Sequence, residues 1–282
     1  MILKSQKGYT ILEVLIFVAV SSLIFIYTMA AIGGKQQEVQ FSQSTREFEA
    51  KIRDVINDVS TGYYPSNEKI SCQVVAGVVQ IINSDNQKLG TNNLCIYAGK
   101  AIQFKPDGKE DLIRIYALAG RRYQDDKLTP SSTIAAASPK AVARPGDLAF
   151  VGSVYEYNLL YGLKVIKVIN PISDTVVKNY GTIAVMSSFG TTGVSDAQAT
   201  QIGGISGSQL DQNETEAVNI INQLTDDVAK KLNNGYLEKN TKEGFIICLQ
   251  SQDGNKASLT VGAGASGGTT LDLDNYNRAC DL

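Results

Sequence analysis

Between Ile11 and Ile32 the sequence reads ILEVLIFVAVSSLIFIYTMAAI, and Glu13 is the one charged residue in it. Such a run is long enough to cross the roughly 30 Å hydrocarbon core of a bilayer as a helix of about 20 residues. A carboxylate within it costs on the order of a few kcal/mol unless it finds a partner, so the chemistry open to Glu13 is ion pairing. Elsewhere, common catalytic types are missing. The chain has no His and no Trp, hence neither the commonest general base nor the commonest zinc ligand. An enzyme built from it would have to use carboxylates, Lys, Tyr, Ser or Cys. These form no compact constellation, and no catalytic residue is assigned.

Cys72, Cys95, Cys248 and Cys280 all follow the apolar run. An even number in an oxidising compartment suggests disulfides. Pairing Cys72 with Cys95 and Cys248 with Cys280 is preferred, because each pair closes a local loop; four buried thiols are the alternative. No Cys-x-x-Cys spacing supports a zinc ribbon or a redox site. Asp272, Asp274 and Asn275, with Asp281 nearby, carry the hard oxygens that calcium takes. Their spacing is not that of an EF-hand loop, and acidic residues in a tail are ordinarily solvated, so no cofactor is expected. The glycine-rich stretch 262–268 lacks the Lys-Ser/Thr ending of a phosphate-binding loop. With a net charge of -2, no overall basic field attracts nucleic acid, and the local candidate Arg114, Arg121, Arg122 and Lys127 is interrupted by Asp125 and Asp126.

Gly8, Tyr9, Thr10, Ile11, Leu12 and Glu13 resemble the class III signal of type IV prepilins and pseudopilins, which usually has Phe where this chain has Tyr9. The resemblance covers the leader and the apolar run. It implies that a prepilin peptidase cuts between Gly8 and Tyr9 and methylates the new N-terminus on Tyr9. It also implies that Glu13, fifth in the mature chain, meets the N-terminus of a neighbouring subunit in a filament. Its implied partners are the prepilin peptidase, other pilin or pseudopilin subunits, and an inner-membrane assembly platform.

The residues agree with that reading. Lys4 and Lys7 precede the run and would keep the N-terminus cytoplasmic while the bulk of the chain is exported as a single-pass membrane protein. A cut after Gly8 would leave an α-ammonium one helical turn from Glu13, a spacing at which opposite charges neutralise each other within a helix. Between packed helices the same pairing rewards a defined axial stagger. An ordinary secretory signal has a shorter apolar core and a small-residue cleavage site after it. A plain signal anchor leaves Gly8 and Glu13 unexplained, and a core helix would be apolar on one stripe rather than all round.

Behind the run, Gly33-Gly34 offers a flexible exit from the bilayer. Phe41, Phe48, Ile52, Val55, Ile56 and Val59 then recur at helical spacing, so one helix is expected from Tyr9 to about Ser60, about 75 Å long. The chain is expected to divide into a leader (1–8), a transmembrane helix (9–33), its amphipathic continuation (34–61), a β-rich head (62–186), a flexible loop or linker (187–212) and a C-terminal helix with a β-hairpin (213–282). Strands are expected at Gln73 to Ile82, Asn93 to Tyr97, Ala101 to Phe104, Leu112 to Leu118, Leu148 to Val154, Leu159 to Ile169 and Thr182 to Met186. The stretch 125–146 reads as a surface loop. A helix is expected from Glu214 to Asn233, and a hairpin turn at Gln252-Asp253-Gly254-Asn255.

The fold class is therefore α+β and, as the resemblance implies, pilin-like: a long N-terminal helix, half membrane-spanning and half amphipathic, packed on an antiparallel β-sheet head. The expected function is a structural subunit of a type IV pilus-like or type II secretion filament, with the bulky head favouring a minor subunit. An adhesive or DNA-uptake pilin acting through its head loops, and a membrane-anchored extracellular enzyme, are the alternatives.

Overall fold

The computed structural model describes residues 9–62, 70–83, 94–124, 129–143, 145, 154–173, 176–187, 200–230, 234–239, 243–263, 268–273 and 277–281, without the side chains of 30–34, 70–72, 83, 172, 173, 176 and 263. It combines helices with antiparallel sheets, and beyond the first helix strands dominate. Helix α1 runs unbroken over Ile11–Thr61. Thr10 caps its start, and Gly62 ends it in the left-handed conformation that favours glycine. Phe41, Phe48, Ile52, Val55 and Val59 form its buried stripe, with the spacing of three, four and seven that puts residues on one helix face.

Strands β1 (Ile70–Val75), β2 (Val78–Asn83), β3 (Cys95–Phe104) and β4 (Leu112–Arg121) follow. Next come the short helix α2 (Ile134–Ala137), β5 (Lys140–Ala141), β6 (Val154–Asn158), β7 (Lys164–Ser173), β8 (Val176–Asn179), β9 (Thr182–Ser187) and β10 (Thr200–Ile205). Helix α3 (Glu214–Ile221), β11 (Leu237–Lys239), β12 (Phe245–Gln250), β13 (Lys256–Ala263) and β14 (Gly268–Asp272) complete the order. One sheet has the order β11-β10-β9-β3-β4-β5, with β6 also paired to β4; a second has β14-β13-β12-β7-β8; β1 and β2 form a separate hairpin.

Alternation along the strands sorts the core. Ile102, Phe104, Ile113 and Ile115 from the first sheet meet Val165, Phe245, Ile247, Leu249, Leu259 and Val261 from the second, in the same cluster as the α1 stripe. The opposite face of the first sheet, with Ala101, Tyr116, Leu118 and Met186, is covered by Ile134 of α2 and Val218 and Ile221 of α3. Each fully buried side chain of this size contributes roughly 1.5–3 kcal/mol.

Several sequence expectations are corrected. The run 73–82 is not one strand: Ala76 and Gly77, both at positive φ, turn β1 back into β2, the backbone a two-residue hairpin requires. The two strands expected at 93–97 and 101–104 are one, β3, irregular between Tyr97 and Gly99. Part of the expected loop 125–146 is packed, with Ile134, Ala137, Ala141, Val142 and Ala143 buried; small side chains there reflect close approach. The strand expected from Leu159 to Ile169 begins only at Lys164, as β7; its first five residues form the turn that follows β6, and most of Leu148 to Val154 lies outside the described residues.

The expected linker 187–212 holds β10, paired on both sides with β9 and β11, while 188–199 lie outside the described residues. Its described glycines, Gly203, Gly204 and Gly207, are demanded by packing. A Cβ on Gly204 would overlap the ring of Tyr180, which is held edge-on to Phe245 at 5.4 Å and donates its hydroxyl to Glu238 at 2.7 Å. We expect Gly204→Ala to cost about 1–3 kcal/mol, the usual range for overpacking, measured as a lower midpoint of urea unfolding.

Helix α3 stops at Ile221 rather than continuing to 233. Thr225 bridges to Tyr236, and the Asp226 carboxylate turns away to accept the amides of Ile134 and Ala135 at 3.1 and 2.8 Å. Those bonds satisfy the start of α2, and Val228, beyond the end of α3, is 73% exposed.

Candidate functional site: the capped end of the long helix

Thr10 has an extended backbone (φ -76°, ψ 150°), so the helix begins at Ile11. Its hydroxyl accepts the Glu13 amide at 3.3 Å. In return, Glu13 Oε2 accepts the Thr10 amide at 2.9 Å and the Thr10 hydroxyl at 3.0 Å. This reciprocal pair is a capping box, and it places a carboxylate where the helix dipole is positive. Both contacts fall on Oε2, and among the described residues Oε1 takes no donor. The carboxylate has a second acceptor for a cation.

The segment Ile11–Met29 is long and apolar enough to cross a membrane and has no part of itself buried in the protein. Two of its hydroxyls bond the helix's own carbonyls: Ser22 donates to that of Val18 at 2.7 Å and Thr28 to that of Phe25 at 2.9 Å. Tyr9 lies just ahead of the cap, exposed and outside the helix. Gly8 and the seven residues before it, expected to form a leader, lie outside the described residues.

The structure pairs Cys248 in β12 with Cys280 in the short 3-10 turn Arg278–Asp281. The bridge is buried with Ile169 and Ile246 on the outer face of the second sheet. Cys95 is disulfide-bonded and buried at the start of β3. The backbone of Cys72 sits in β1 opposite Ile81, but its side chain is not described. Asp272 ends β14, and Asp281 takes Lys256 Nζ at 3.1 Å; Asp274 and Asn275 lie outside the described residues. Among the described residues no three His, Cys, Asp or Glu come close enough to hold a metal ion.

Sequence reasoning missed the buried polar groups of the sheets. Arg114, read as part of a basic stripe, is instead buried in β4, donating to Glu156 Oε1 at 2.6 Å and Asp107 Oδ2 at 2.7 Å. Arg121 donates to the carbonyls of Ala136 and Gly77. Burial pushes the Tyr116 hydroxyl pKa well up, and the hydroxyl donates to Gln103 Oε1 at 2.7 Å. Lys100 of β3, also buried, pairs with Asp58 near the end of α1. Hydrogen bonds from Lys164 and then Lys105 hold the Glu110 carboxyl below its usual range. The available signal was a lone charge or amide inside an apolar strand, as in Gly99-Lys100-Ala101-Ile102-Gln103-Phe104: buried charges are found paired.

No protein-family model, curated protein or solved structure matches the chain. The chemistry open to the site is therefore argued from its geometry. An acid-bearing, capped helix end can accept a cation. Tyr9, the described residue before the cap, lies outside the helix.

Proposed function

We propose that the chain is a pilin-like assembly subunit, a minor pilin or pseudopilin, cleaved between Gly8 and Tyr9, methylated on Tyr9 and built into a filament through its N-terminal helix. In this reading the helix is a spine, membrane-spanning in its first half, whose second half seats a β-rich head on the exported side. The observation that carries the proposal is the pairing of Glu13 with the helix cap at the mouth of an apolar span. After cleavage, the α-ammonium of Tyr9 would adjoin Thr10, whose amide already bonds Glu13. In a filament, Glu13 would exchange part of that local contact for the N-terminus of a neighbour. The Cys248–Cys280 disulfide supports an oxidising, extracytoplasmic destination for the head.

The test is intact mass and N-terminal sequencing of the membrane-extracted protein from a host with active prepilin peptidase. Loss of Met1 to Gly8 and one added methyl group on Tyr9 are expected. A chain that keeps its first eight residues would overturn the proposal.

A further inference from the structure

We infer that the turn between β6 and β7, with Leu160 and Tyr161 at its apex, is a second membrane contact that rests the head on the lipid surface next to the span. This rests on the membrane-spanning reading of α1 and goes beyond it. Leu160 is 42% and Tyr161 51% exposed, and the Leu163 amide closes the turn on the Leu160 carbonyl at 3.0 Å. Tyr161 and Gly162 both have positive φ, 51° and 68°. That backbone suits Asn-Gly or Gly-Gly; a bulky aromatic residue is uncommon there. The fold tolerates a tyrosine where a small polar residue would be easier.

Two observations put this turn near the bilayer: a chain of contacts that sets its height along α1, and the direction in which β6 runs to it. Along α1, Gln37 donates to Asp253 of the β12–β13 turn at 3.4 Å. Gln37 lies about 12 Å beyond Met29 and about 7 Å beyond Ile32 at 1.5 Å per residue. A Cβ on Gly162 would lie 2.7 Å from the Gln252 side chain, so the two turns are neighbours. Along β6, Tyr155 stacks under Lys51 Nζ at 4.0 Å, while Tyr157 is 5.9 Å from the same nitrogen and feels the charge of Glu47. The strand thus descends α1 toward its N-terminus. From Tyr155 to its end at Asn158, β6 covers about 10 Å of the about 21 Å of helix between Lys51 and Gln37, and the turn that follows continues from there. The contacts of Gly162 and Gln37 set the height of the turn, and β6 runs toward it.

The headgroup layer on each side of the hydrocarbon core is about 5–8 Å thick. Exposed Leu and Tyr side chains at that height sit where tyrosine is enriched at membrane interfaces, ring toward the hydrocarbon and hydroxyl toward water. The occupant of this apex is a lipid surface, because the span fixes the turn beside one. The contact would set the rotation of the head about α1 before assembly and would have to be released on extraction into a filament.

The absence of Trp from the sequence makes the test direct. Phe25→Trp, Tyr155→Trp, Leu160→Trp and Tyr161→Trp variants of the full chain are reconstituted singly into phospholipid vesicles whose acyl chains are brominated either near the headgroup or near the chain ends. Tryptophan at 160 and at 161 is expected to lose emission with the shallow bromines and little with the deep ones. Tryptophan at 25 should be quenched inside the bilayer, and at 155 should emit equally in brominated and plain lipid. If position 25 is quenched and both 160 and 161 are not, the second contact does not exist. Equal quenching at 155 and 161 also overturns it, since the head would then lie along the membrane. An unquenched tryptophan at 25 overturns the membrane-spanning reading itself, and this inference with it.

Discussion

Replacing Cys248 and Cys280 together by alanine is expected to lower the unfolding free energy of the head by roughly 3–4 kcal/mol, the chain-entropy value for a loop of this length. The bridge spans 32 residues of sequence. It joins β12, which lies between β13 and β7 in the second sheet, to a terminal turn whose other described polar ties to the sheet are the Asn277 amide on Ser258 Oγ at 3.3 Å and the exposed pair of Lys256 and Asp281. Surface pairs of that kind contribute little. Without the disulfide, the turn is held by the apolar cover of Cys280 and Ala279 on Ile169 and Ile246. A Cys248→Ser single variant should be worse than the double alanine, because it adds a hydroxyl to an apolar cluster. The measurement is urea unfolding of the detergent-solubilised chain with and without a reductant. The double alanine variant is compared with wild type without reductant, because a reductant also opens the bridge of Cys95 and should take both to a lower midpoint; a double alanine midpoint equal to wild type without reductant would show that the Cys248–Cys280 bridge contributes nothing.

The parts of the fold that are legible in the sequence are those set by local rules. The stripe of Phe41, Phe48, Ile52, Val55 and Val59 and the stop at Gly62 locate α1 to within a residue or two, since helix periodicity and a left-handed cap are both written locally. The Gln252-Asp253-Gly254-Asn255 turn and the pairing of Cys248 with Cys280 are legible for the same reason. What is lost depends on distant neighbours. Gly203 and Gly204 look like flexibility, yet they let β10 pass Leu237 and Tyr180. The apolar pattern after Ile221 looks helical until Asp226 is claimed by the amides of α2, some ninety residues away. Ala76-Gly77 hides a turn inside a strand-like run. The polar interior shows the same limit, because Arg114 is recognisable as a charge in an apolar strand but Asp107 and Glu156 as its partners are not. At the helix end, the identity of Glu13 as the unusual residue is legible; the capping box it forms with Thr10 is seen in the structure. That cap gives the carboxylate a partner within its own chain, which changes how its substitution is to be interpreted.

Glu13→Ala is expected to leave membrane insertion intact and to reduce incorporation into filaments by about tenfold or more, the equivalent of losing at least about 1.4 kcal/mol of subunit pairing. Insertion is driven by the apolar run, and removal of a charge from it only favours the bilayer. Assembly is different. A carboxylate facing an α-ammonium between packed helices makes a charge-assisted hydrogen bond where water is scarce, the setting in which such bonds are strong. The capping box complicates the alanine result, because losing it costs the helix end about 0.5–2 kcal/mol whether or not a neighbour is present. Glu13→Gln separates the two effects. A glutamine retains an amide oxygen that can accept from the Thr10 amide, but it carries no charge for a neighbouring N-terminus. If pairing between subunits is the role of Glu13, glutamine should fail nearly as badly as alanine. If capping is the role, glutamine should restore incorporation while alanine does not. The comparison is made as the ratio of each variant in sheared filaments to that in the membrane fraction, and normal incorporation of both would remove Glu13 from the assembly mechanism.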